Sequence, residues 1–160
     1  MIYVALLRGI NVGGNNKIEM KKLKVTFESL GFKNVVTYIN SGNIVFETIA
    51  DEQDVVLENK IEKAIKKDFL LDIKVLLRSF ESLKTICKKL PDTWVKSETM
   101  RTDVLFLWKK FDHPTIIEQL ALTPVDHVKY VSGALLWNVE GENYTKVACK
   151  NYWERSYTEI

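Results

Sequence analysis

VVTYINSGNIVFET, residues 35–48, contains two runs of β-branched and aromatic residues on either side of the polar segment NSGN (40–43). Two such runs joined by a short segment with a glycine predict a β-hairpin. A helix is predicted just before it, because apolar residues between Met20 and Leu30 recur at a helical period and Gly31 supplies a left-handed stop. The stretch therefore predicts a helix followed by two antiparallel strands.

The rest of the first half extends this pattern in both directions. Residues 2–7 (IYVALL) form an apolar run that predicts a buried strand. After the hairpin, Asp51 is a candidate N-cap for a second helix with Leu57 and Ile61 on its apolar face, and residues 73–78 (IKVLLR) predict a fourth strand. The order strand, helix, strand, strand, helix, strand is that of a ferredoxin-like split βαβ module.

The second half repeats much of this order. Its predicted elements are a helix at 80–90 capped by Ser79, an irregular linker at 91–102, a strand at 103–109, a helix at 113–120 with Pro114 in its first turn, and a hairpin at 128–139 that turns at Ser132-Gly133. A helix-like segment at 142–150 follows, and only NYWERSYTEI (151–160) remains for a closing strand. Without that strand, residues 103–109 would form an unpaired sheet edge.

These elements predict an α+β fold of two tandem ferredoxin-like (α/β-plait) modules, the second divergent or incomplete at its C-terminal strand. The predicted organisation is a module at 1–79, a helix and linker at 80–102, and a second module at 103–160. A length of 160 residues allows one domain or two small ones. The content of 46% hydrophobic and 28% charged residues is typical of a globular chain.

Charge and cysteine content narrow the class of protein. The net charge of +2 disfavours a dedicated nucleic-acid binder, but residues 1–50 carry six basic against three acidic side chains. Any attraction for anions is therefore expected in the first third. Cys87 and Cys149 are far apart and lack metal-ligand spacing, and no apolar run is long enough for a signal peptide or a membrane span. A reduced, cytoplasmic protein without a membrane partner is predicted.

The loop LLRGINVGGNNKI (6–18) is unusually rich in glycine and asparagine. In a split βαβ module the end of the first strand and the hairpin between the second and third strands lie at the same edge of the sheet, so this loop and the hairpin are predicted neighbours. Arginine and lysine bind anions, asparagine offers donors and acceptors, and glycine permits close backbone approach. The start of the following helix also favours an anion. The candidate ligand-binding residues are Arg8, Gly9, Asn11, Gly13, Gly14, Lys17, Asn40, Ser41, Gly42 and Asn43.

Turn chemistry is the competing explanation, since any tight turn uses Asn-Gly and Gly-Gly sequences. For the hairpin considered by itself, turn chemistry is the favoured explanation. For the long loop a binding function is favoured, because Arg8, three glycines and a helix start exceed what a turn requires. The loop has neither Walker A nor G-x-G-x-x-G spacing. Ser41 has no evident base, and His113 and His127 lack a spaced carboxylate, so no catalytic residue, metal or cofactor is indicated.

Nucleic acid is a further candidate ligand. Residues 2–7 loosely match the first signature strand of an RNA-recognition plait, in which exposed aromatics stack on bases. The second signature strand is missing, because residues 41–48 lack the basic-Gly-aromatic pattern. Tyr3 and Phe46 are therefore predicted to pack in the core or on the sheet, and RNA remains a disfavoured alternative.

Three stretches resemble a known family: MIYVALLRGINVGG (1–14), LGFKNVVTYINSGNIVFET (30–48) and VLLRSFESL (75–83). They are similar to the hallmark segments of the uncharacterised bacterial domain-of-unknown-function family 1697 (DUF1697). The resemblance implies two α/β-plait modules and supplies no activity, cofactor or catalytic residue. Members of that family continue past the NYTK-like stretch with a helix and a polar strand, which the tail here does not resemble. The hallmark positions matched are Arg8, Gly9, Asn11, Gly13, Gly14, Ser41, Gly42 and Asn43.

Three functional hypotheses follow. The leading one is a cytosolic module that binds a small anionic or phosphate-bearing ligand between residues 8–17 and 40–43. The second is an enzyme acting on such a ligand, with Arg8 or Lys17 stabilising negative charge. The third is an interaction module, a homodimer for example, that pairs through the open sheet edge at 103–109.

Overall fold

The computed structural model describes residues 1–40, 42–49, 52–94 and 97–144. The chain divides into two units, Met1–Leu83 and Lys84–Ile160. Each unit contains its own antiparallel sheet, so the predicted α+β class is confirmed at that level. In the described part of the chain, no helix has both the length and the apolar character needed to cross a bilayer.

The first unit contains the six elements predicted from its sequence. They are β1 (Ile2–Leu7), α1 (Met20–Ser29), β2 (Lys33–Tyr38), β3 (Asn43–Glu47), α2 (Asp54–Phe69) and β4 (Val75–Ser79). Gly31 has a φ of +86°, which fits its predicted role at the end of α1. The predicted N-cap of α2 is wrong: Gln53 is the N-cap residue, and Asp51 lies outside the described residues.

The sheet of the first unit has the strand order β2-β3-β1-β4. Strand β1 is antiparallel to both β3 and β4, and β3 is antiparallel to β2. Because Leu6 at the end of β1 pairs with Asn43 at the start of β3, the loop after β1 begins beside the β2–β3 connection. This topology places the two predicted loops at the same end of the sheet, where β1 and β2 end and β3 begins.

The core of this unit lies between the sheet and helices α1 and α2. Every second residue of β1 and β3 is buried there, against Phe27 of α1 and Ile61 of α2. Tyr3 is 3% exposed and Phe46 is fully buried, and their rings stack with centroids 5.9 Å apart. The prediction that these two aromatics pack in the core is confirmed, and they do not form a base-stacking surface.

One edge of this sheet is covered by carboxylates. Glu58 and Glu62, one turn apart on α2, accept hydrogen bonds from the backbone N–H groups of Leu77 (2.9 Å) and Val75 (3.0 Å) in β4. Outward-facing N–H groups of an edge strand are otherwise open to pairing with another chain. The two carboxylates therefore occupy positions that the carbonyl groups of a fifth strand would need.

The first turn of helix α3 (Phe80–Lys89) is capped by the Ser79 hydroxyl, as predicted. The second unit begins within this helix. Its strands are β5 (Met100–Phe106), β6 (His127–Val131) and β7 (Ala134–Glu140), in the order β5-β7-β6. Short 3₁₀ helices span Lys109–Phe111, Pro114–Gln119 and Gly141–Asn143. One face of this sheet packs on Ile116, and the other packs on Ile86 of α3.

Three predictions for the second unit need comment. The first strand begins at Met100, three residues before the predicted start. The helix predicted at 113–120 is a 3₁₀ helix, because the segment is short and three consecutive β-branched residues (115–117) follow its proline. A 3₁₀ turn spans Gly141–Asn143 at the start of the helix predicted at 142–150, and residues 145–160, including the rest of that helix and the predicted closing strand, lie outside the described residues.

Candidate functional site

The two predicted loops are hydrogen-bonded to each other. The backbone N–H of Leu7 donates to the carbonyl oxygen of Gly42 (3.0 Å), and the Asn11 side-chain amide donates to the carbonyl oxygen of Asn40 (3.1 Å). We call residues 8–17 and 40–43 together the first rim. The predicted adjacency of the two loops is therefore present, since two hydrogen bonds join them.

The loop at 8–17 is itself a miniature hairpin. Its tip is a turn between Val12 and Asn15, closed by a 3.0 Å hydrogen bond from the Asn15 N–H to the Val12 carbonyl. Gly13 and Gly14 at the centre of the turn have φ angles of +58° and +81°, and positive φ at both central positions is the feature of a type I′ turn. These glycines are thus explained by backbone conformation.

Asn11 holds the first rim together. Its amide group donates to the Ile18 carbonyl (3.0 Å) as well as to Asn40, and its oxygen accepts from the Ile18 N–H (2.9 Å). Asn16 plays a lesser part by donating to the Gly9 carbonyl (3.0 Å). These hydrogen bonds show that Asn11 positions the two loops relative to each other.

Gly42 is required by packing. A Cβ atom at this position would lie 2.8 Å from two side-chain carbons of Ile10 and 3.0 Å from Cβ of Leu7, and its φ is +79°. Ile10 is 1% exposed, so it has little room to move. The hairpin glycine therefore lets the buried Ile10 fasten the long loop onto the sheet.

The first rim contains two cations, Arg8 and Lys17, and a third cation, Lys74, lies next to it on β4's side of the sheet. Arg8 is half-buried. Its backbone N–H donates to the Lys74 carbonyl (3.0 Å), so the β1–β4 register extends by one pair and Arg8 lies opposite Lys74. Lys74 is partly neutralised by Glu62 at 3.3 Å, whereas Lys17 is exposed. Pairing residues 2–8 against 74–79 by register would have found Lys74.

Exposed apolar side chains also border the first rim. Val12, Tyr38 and Ile39 are 66%, 65% and 64% exposed. Ile39 has a φ of +47°, a conformation that β-branched residues rarely adopt. The sequence alone does not single out Tyr38 and Ile39, because residues 35–39 have the pattern of an ordinary strand.

The other predicted site residues occupy mixed environments. Gly13, Gly14 and Asn40 are exposed, Gly9 and Asn43 are half-buried, and Ser41 lies outside the described residues. Elsewhere, the His113 ring bonds to the Thr115 hydroxyl (2.8 Å) and His127 is exposed on β6. Within the described ranges, no three His, Cys, Asp or Glu side chains are grouped to hold a metal ion.

A surface cavity of about 270 Å³ opens at the other end of the first sheet. Its lining includes Lys33, Glu47 and Ile49, and none of the predicted site residues. The first rim is therefore a separate surface, and a ligand test has to distinguish it from this cavity.

Comparison with known proteins identifies the family. The profile of the family described as "Protein of unknown function (DUF1697)" matches residues 1–137. The chain belongs to this family. The DUF1697 match spans both units, and it confirms the resemblance seen in the sequence. Comparison with curated proteins finds no match.

A solved structure supports the fold of this DUF1697 chain. It is similar to a conserved bacterial protein from Streptococcus pneumoniae, with 32% sequence identity and a TM-score of 0.78. The similarity covers 94% of this chain and 84% of the other. The α+β arrangement is therefore shared with a relative over nearly the whole chain.

Proposed function

We propose that the protein is a cytosolic binding module for a small anionic or phosphate-bearing ligand, and that the ligand binds at the first rim. The observation that carries this proposal is a pair of hydrogen bonds, Leu7 N–H to Gly42 and Asn11 to Asn40. They join the loop after β1 to the connection between β2 and β3. A surface already held in one conformation loses little entropy when a ligand binds.

Charge distribution supports an anion as the ligand. Residues 8–18 and 38–43 contain two cations and no acidic residue. Arg8 offers a planar fork suited to phosphate or carboxylate, and Lys17 offers an exposed, mobile ammonium group. Lys74 adds positive charge beside Arg8, although Glu62 reduces its effect.

The proposal divides the predicted residues into two groups. Asn11, Gly13, Gly14 and Gly42 shape the loops, because their hydrogen bonds, φ angles or close contacts are taken up within the protein. Arg8 and Lys17 contact the ligand, with Asn40 as a neutral partner. The shaping residues set the geometry in which the cations act.

We also propose that both units are variants of one ferredoxin-like plan. In the first unit β3 lies between β1 and β2, and in the second β7 lies between β5 and β6. The N–H of Leu107 donates to the Gly133 carbonyl (2.9 Å) in the second unit, as Leu7 does to Gly42 in the first. The end of the first strand is thus tied to the hairpin in both.

A thermal-shift screen against inorganic phosphate, sugar phosphates, nucleotides and carboxylates tests the binding proposal. A ligand present at 100 times its dissociation constant stabilises the native state by about 2.7 kcal/mol. We expect Arg8→Ala and Lys17→Ala to reduce that shift, and Lys63→Ala, which removes an exposed cation of α2, to leave it unchanged. A shift that survives Arg8→Ala and Lys17→Ala would contradict the proposed site.

Self-association is a second candidate function, and the edge position of β5 favours it. Among residues 97–144, β5 pairs with β7 and with no other strand. Sedimentation at increasing protein concentration tests this candidate. A dimer that forms equally well in Arg8→Ala supports it, and a monomer at every concentration contradicts it.

A further inference from the structure

We infer that the anion taken by the first rim also carries a flat aromatic ring, as a nucleotide does, and that Tyr38 stacks on that ring. This inference rests on the proposed function and names the class of ligand for the same site. Its basis is the position of Tyr38 relative to Arg8 on the sheet.

Tyr38 and Arg8 lie on the same side of the first sheet. Tyr38 pairs with Asn43, which pairs with Leu6, so the three residues form a row across β2, β3 and β1. Their neighbours Thr37, Ile44 and Ala5 form the next row, in which Ile44 and Ala5 belong to the core under the helices. Since side chains alternate along a strand, Tyr38 and Leu6 point away from the helices.

Arg8 continues this alternation by two residues. Leu6 pairs with Leu76 in the β1–β4 register, and the hydrogen bond from the Arg8 N–H to the Lys74 carbonyl continues that register. Arg8 therefore lies two residues beyond Leu6 along the same strand direction. Two strand spacings of about 4.8 Å and two residue steps of about 3.3 Å put its Cα about 12 Å from that of Tyr38. Both side chains are long enough to close most of this gap, so one ligand can meet the phenol with its ring and the guanidinium with its phosphate.

The exposure of Tyr38 is the second step. At 65% exposure its ring is open to solvent, unlike Tyr3 and Phe46, which are buried in the same sheet. Ile39, the next residue along the chain, is exposed to a similar extent. An exposed aromatic ring on the same side of the sheet as a cation suits a ligand that carries both a ring and a phosphate.

The backbone at Ile39 gives additional support. Its φ of +47° is unfavourable for a β-branched residue, and it lies directly between Tyr38 and Asn40, whose carbonyl is held by Asn11. Conformations of this kind persist where the surroundings impose them, and they are frequent at ligand sites. The turn thus fixes the end of β2, on which the ring of Tyr38 is carried.

Isothermal titration calorimetry with adenosine monophosphate, ribose 5-phosphate, inorganic phosphate and adenosine tests the inference. We expect adenosine monophosphate to bind about tenfold more tightly than ribose 5-phosphate. Tyr38→Ala should lower the affinity for adenosine monophosphate about tenfold and leave the affinity for inorganic phosphate unchanged, because ring stacking is the only contact removed. Tyr38→Phe keeps the ring and should bind as the unsubstituted protein does.

The controls separate this inference from the proposed function. Ile49→Ala removes a side chain that is 94% exposed beside the cavity at the other end of the sheet, and it should change no affinity. Equal affinities for adenosine monophosphate and ribose 5-phosphate, or no effect of Tyr38→Ala, would overturn the inference. If phosphate binding were still weakened by Arg8→Ala in that case, the proposed function would be upheld. No binding of any phosphate probe would overturn both. Preference for an oligonucleotide that covers several bases would overturn the mononucleotide assignment.

Discussion

The two units tie the end of a strand to a hairpin in the same way but hold the hairpin with different side chains. In the first unit, Leu7 bonds to Gly42 and an asparagine amide bonds to the hairpin. In the second, Leu107 bonds to Gly133, and one oxygen of Asp112 accepts from the Gly133 N–H (2.7 Å) and the Tyr130 hydroxyl (2.9 Å).

This difference shows what fastening such a hairpin requires. A single internal carboxylate is sufficient in the second unit, where loss of solvation and the Asp112 hydrogen bond raise the pKa of Tyr130. The first unit instead uses the neutral Asn11, within an eleven-residue segment (8–18) that contains no acidic side chain. Cations follow the first strand in both units, Arg8 in the first and Lys109 and Lys110 in the second, so the units differ in the side chain that holds the hairpin and not in positive charge.

The largest effect is expected from Gly42→Ala. The added methyl group would meet Ile10 at 2.8 Å, and the residue would keep a positive φ. Overpacking and backbone strain together should destabilise the fold by about 3 kcal/mol. Gly14→Ala is the matched control, because Gly14 also has a positive φ but no atom within 4 Å of the added group. Chemical denaturation that gave equal losses for the two variants would contradict the packing role of Gly42.

We call residues 108–113 and 132–133 of the second unit the second rim. Asn11→Asp gives the first rim a carboxylate, as Asp112 does in the second rim. Aspartate cannot donate to the carbonyl groups of Ile18 and Asn40, so we expect a loss of about 2 kcal/mol and the loss of anion binding. The reciprocal change, Asp112→Asn, keeps an oxygen for Gly133 and Tyr130 and should destabilise by about 1 kcal/mol or less. Denaturation midpoints and phosphate titrations check both. Equal losses, or unchanged phosphate binding in Asn11→Asp, would remove the contrast between the rims.

A smaller, pH-dependent effect is expected at the β4 edge, where the first unit places its structural carboxylates. Burial raises the pKa of Glu58, opposed by its hydrogen bond from Leu77 and by Arg78, and reinforced by Asp54 and Glu62. The folded state therefore holds the proton to higher pH than the unfolded state, and the stability contributed by this group is lost as pH rises through the raised pKa.

Glu58→Gln keeps an acceptor for the Leu77 N–H and removes the titration. Between the ordinary glutamate range and the raised pKa, the stability of the unsubstituted protein relative to this variant should fall as pH rises, by less than about 1 kcal/mol because the carboxyl is partly exposed. Urea denaturation across pH 4 to 8 measures the difference. A difference that stays constant or grows with pH would contradict the assignment.

The smallest effect on stability is expected from Lys17→Ala. Lys17 is exposed, and surface substitutions of this kind change stability by less than about 0.5 kcal/mol. The same substitution should weaken phosphate binding at the first rim. Thermal denaturation with and without phosphate separates the two quantities, and a large loss of stability in the absence of ligand would show that Lys17 has a structural role.

Much of the first unit could be predicted from its sequence, because its apolar periods and glycine stops are local signals. The 3₁₀ helix at Pro114–Gln119 could not, since an α-helical and a 3₁₀ segment of six residues bury the same apolar positions. The N-cap at Gln53 was missed because it makes no side-chain bond to the helix, so no capping residue marks it.

The candidate site was predictable as a place and not as a set of contacts. Adjacency of the two loops follows from strand order, which the sequence indicates. The engagement of Asn11 with Ile18 could not be predicted, because an asparagine that fastens a turn and one that faces a ligand have the same local sequence. The positions of Lys74 and Tyr38 were not predicted either, because they depend on strand register. Register decides which residue lies opposite Arg8 and on which face of the sheet an aromatic side chain lies.

The most direct test is a titration of the ¹⁵N-labelled protein with inorganic phosphate and adenosine monophosphate, followed by amide chemical shifts. We expect saturable changes at residues 9–17 and 40–43, and none at residues 108–113 and 132–133 of the second rim. Changes confined to the second rim, or to residues 31–33 and 47–49 around the cavity, would contradict this expectation, as would the absence of saturable change.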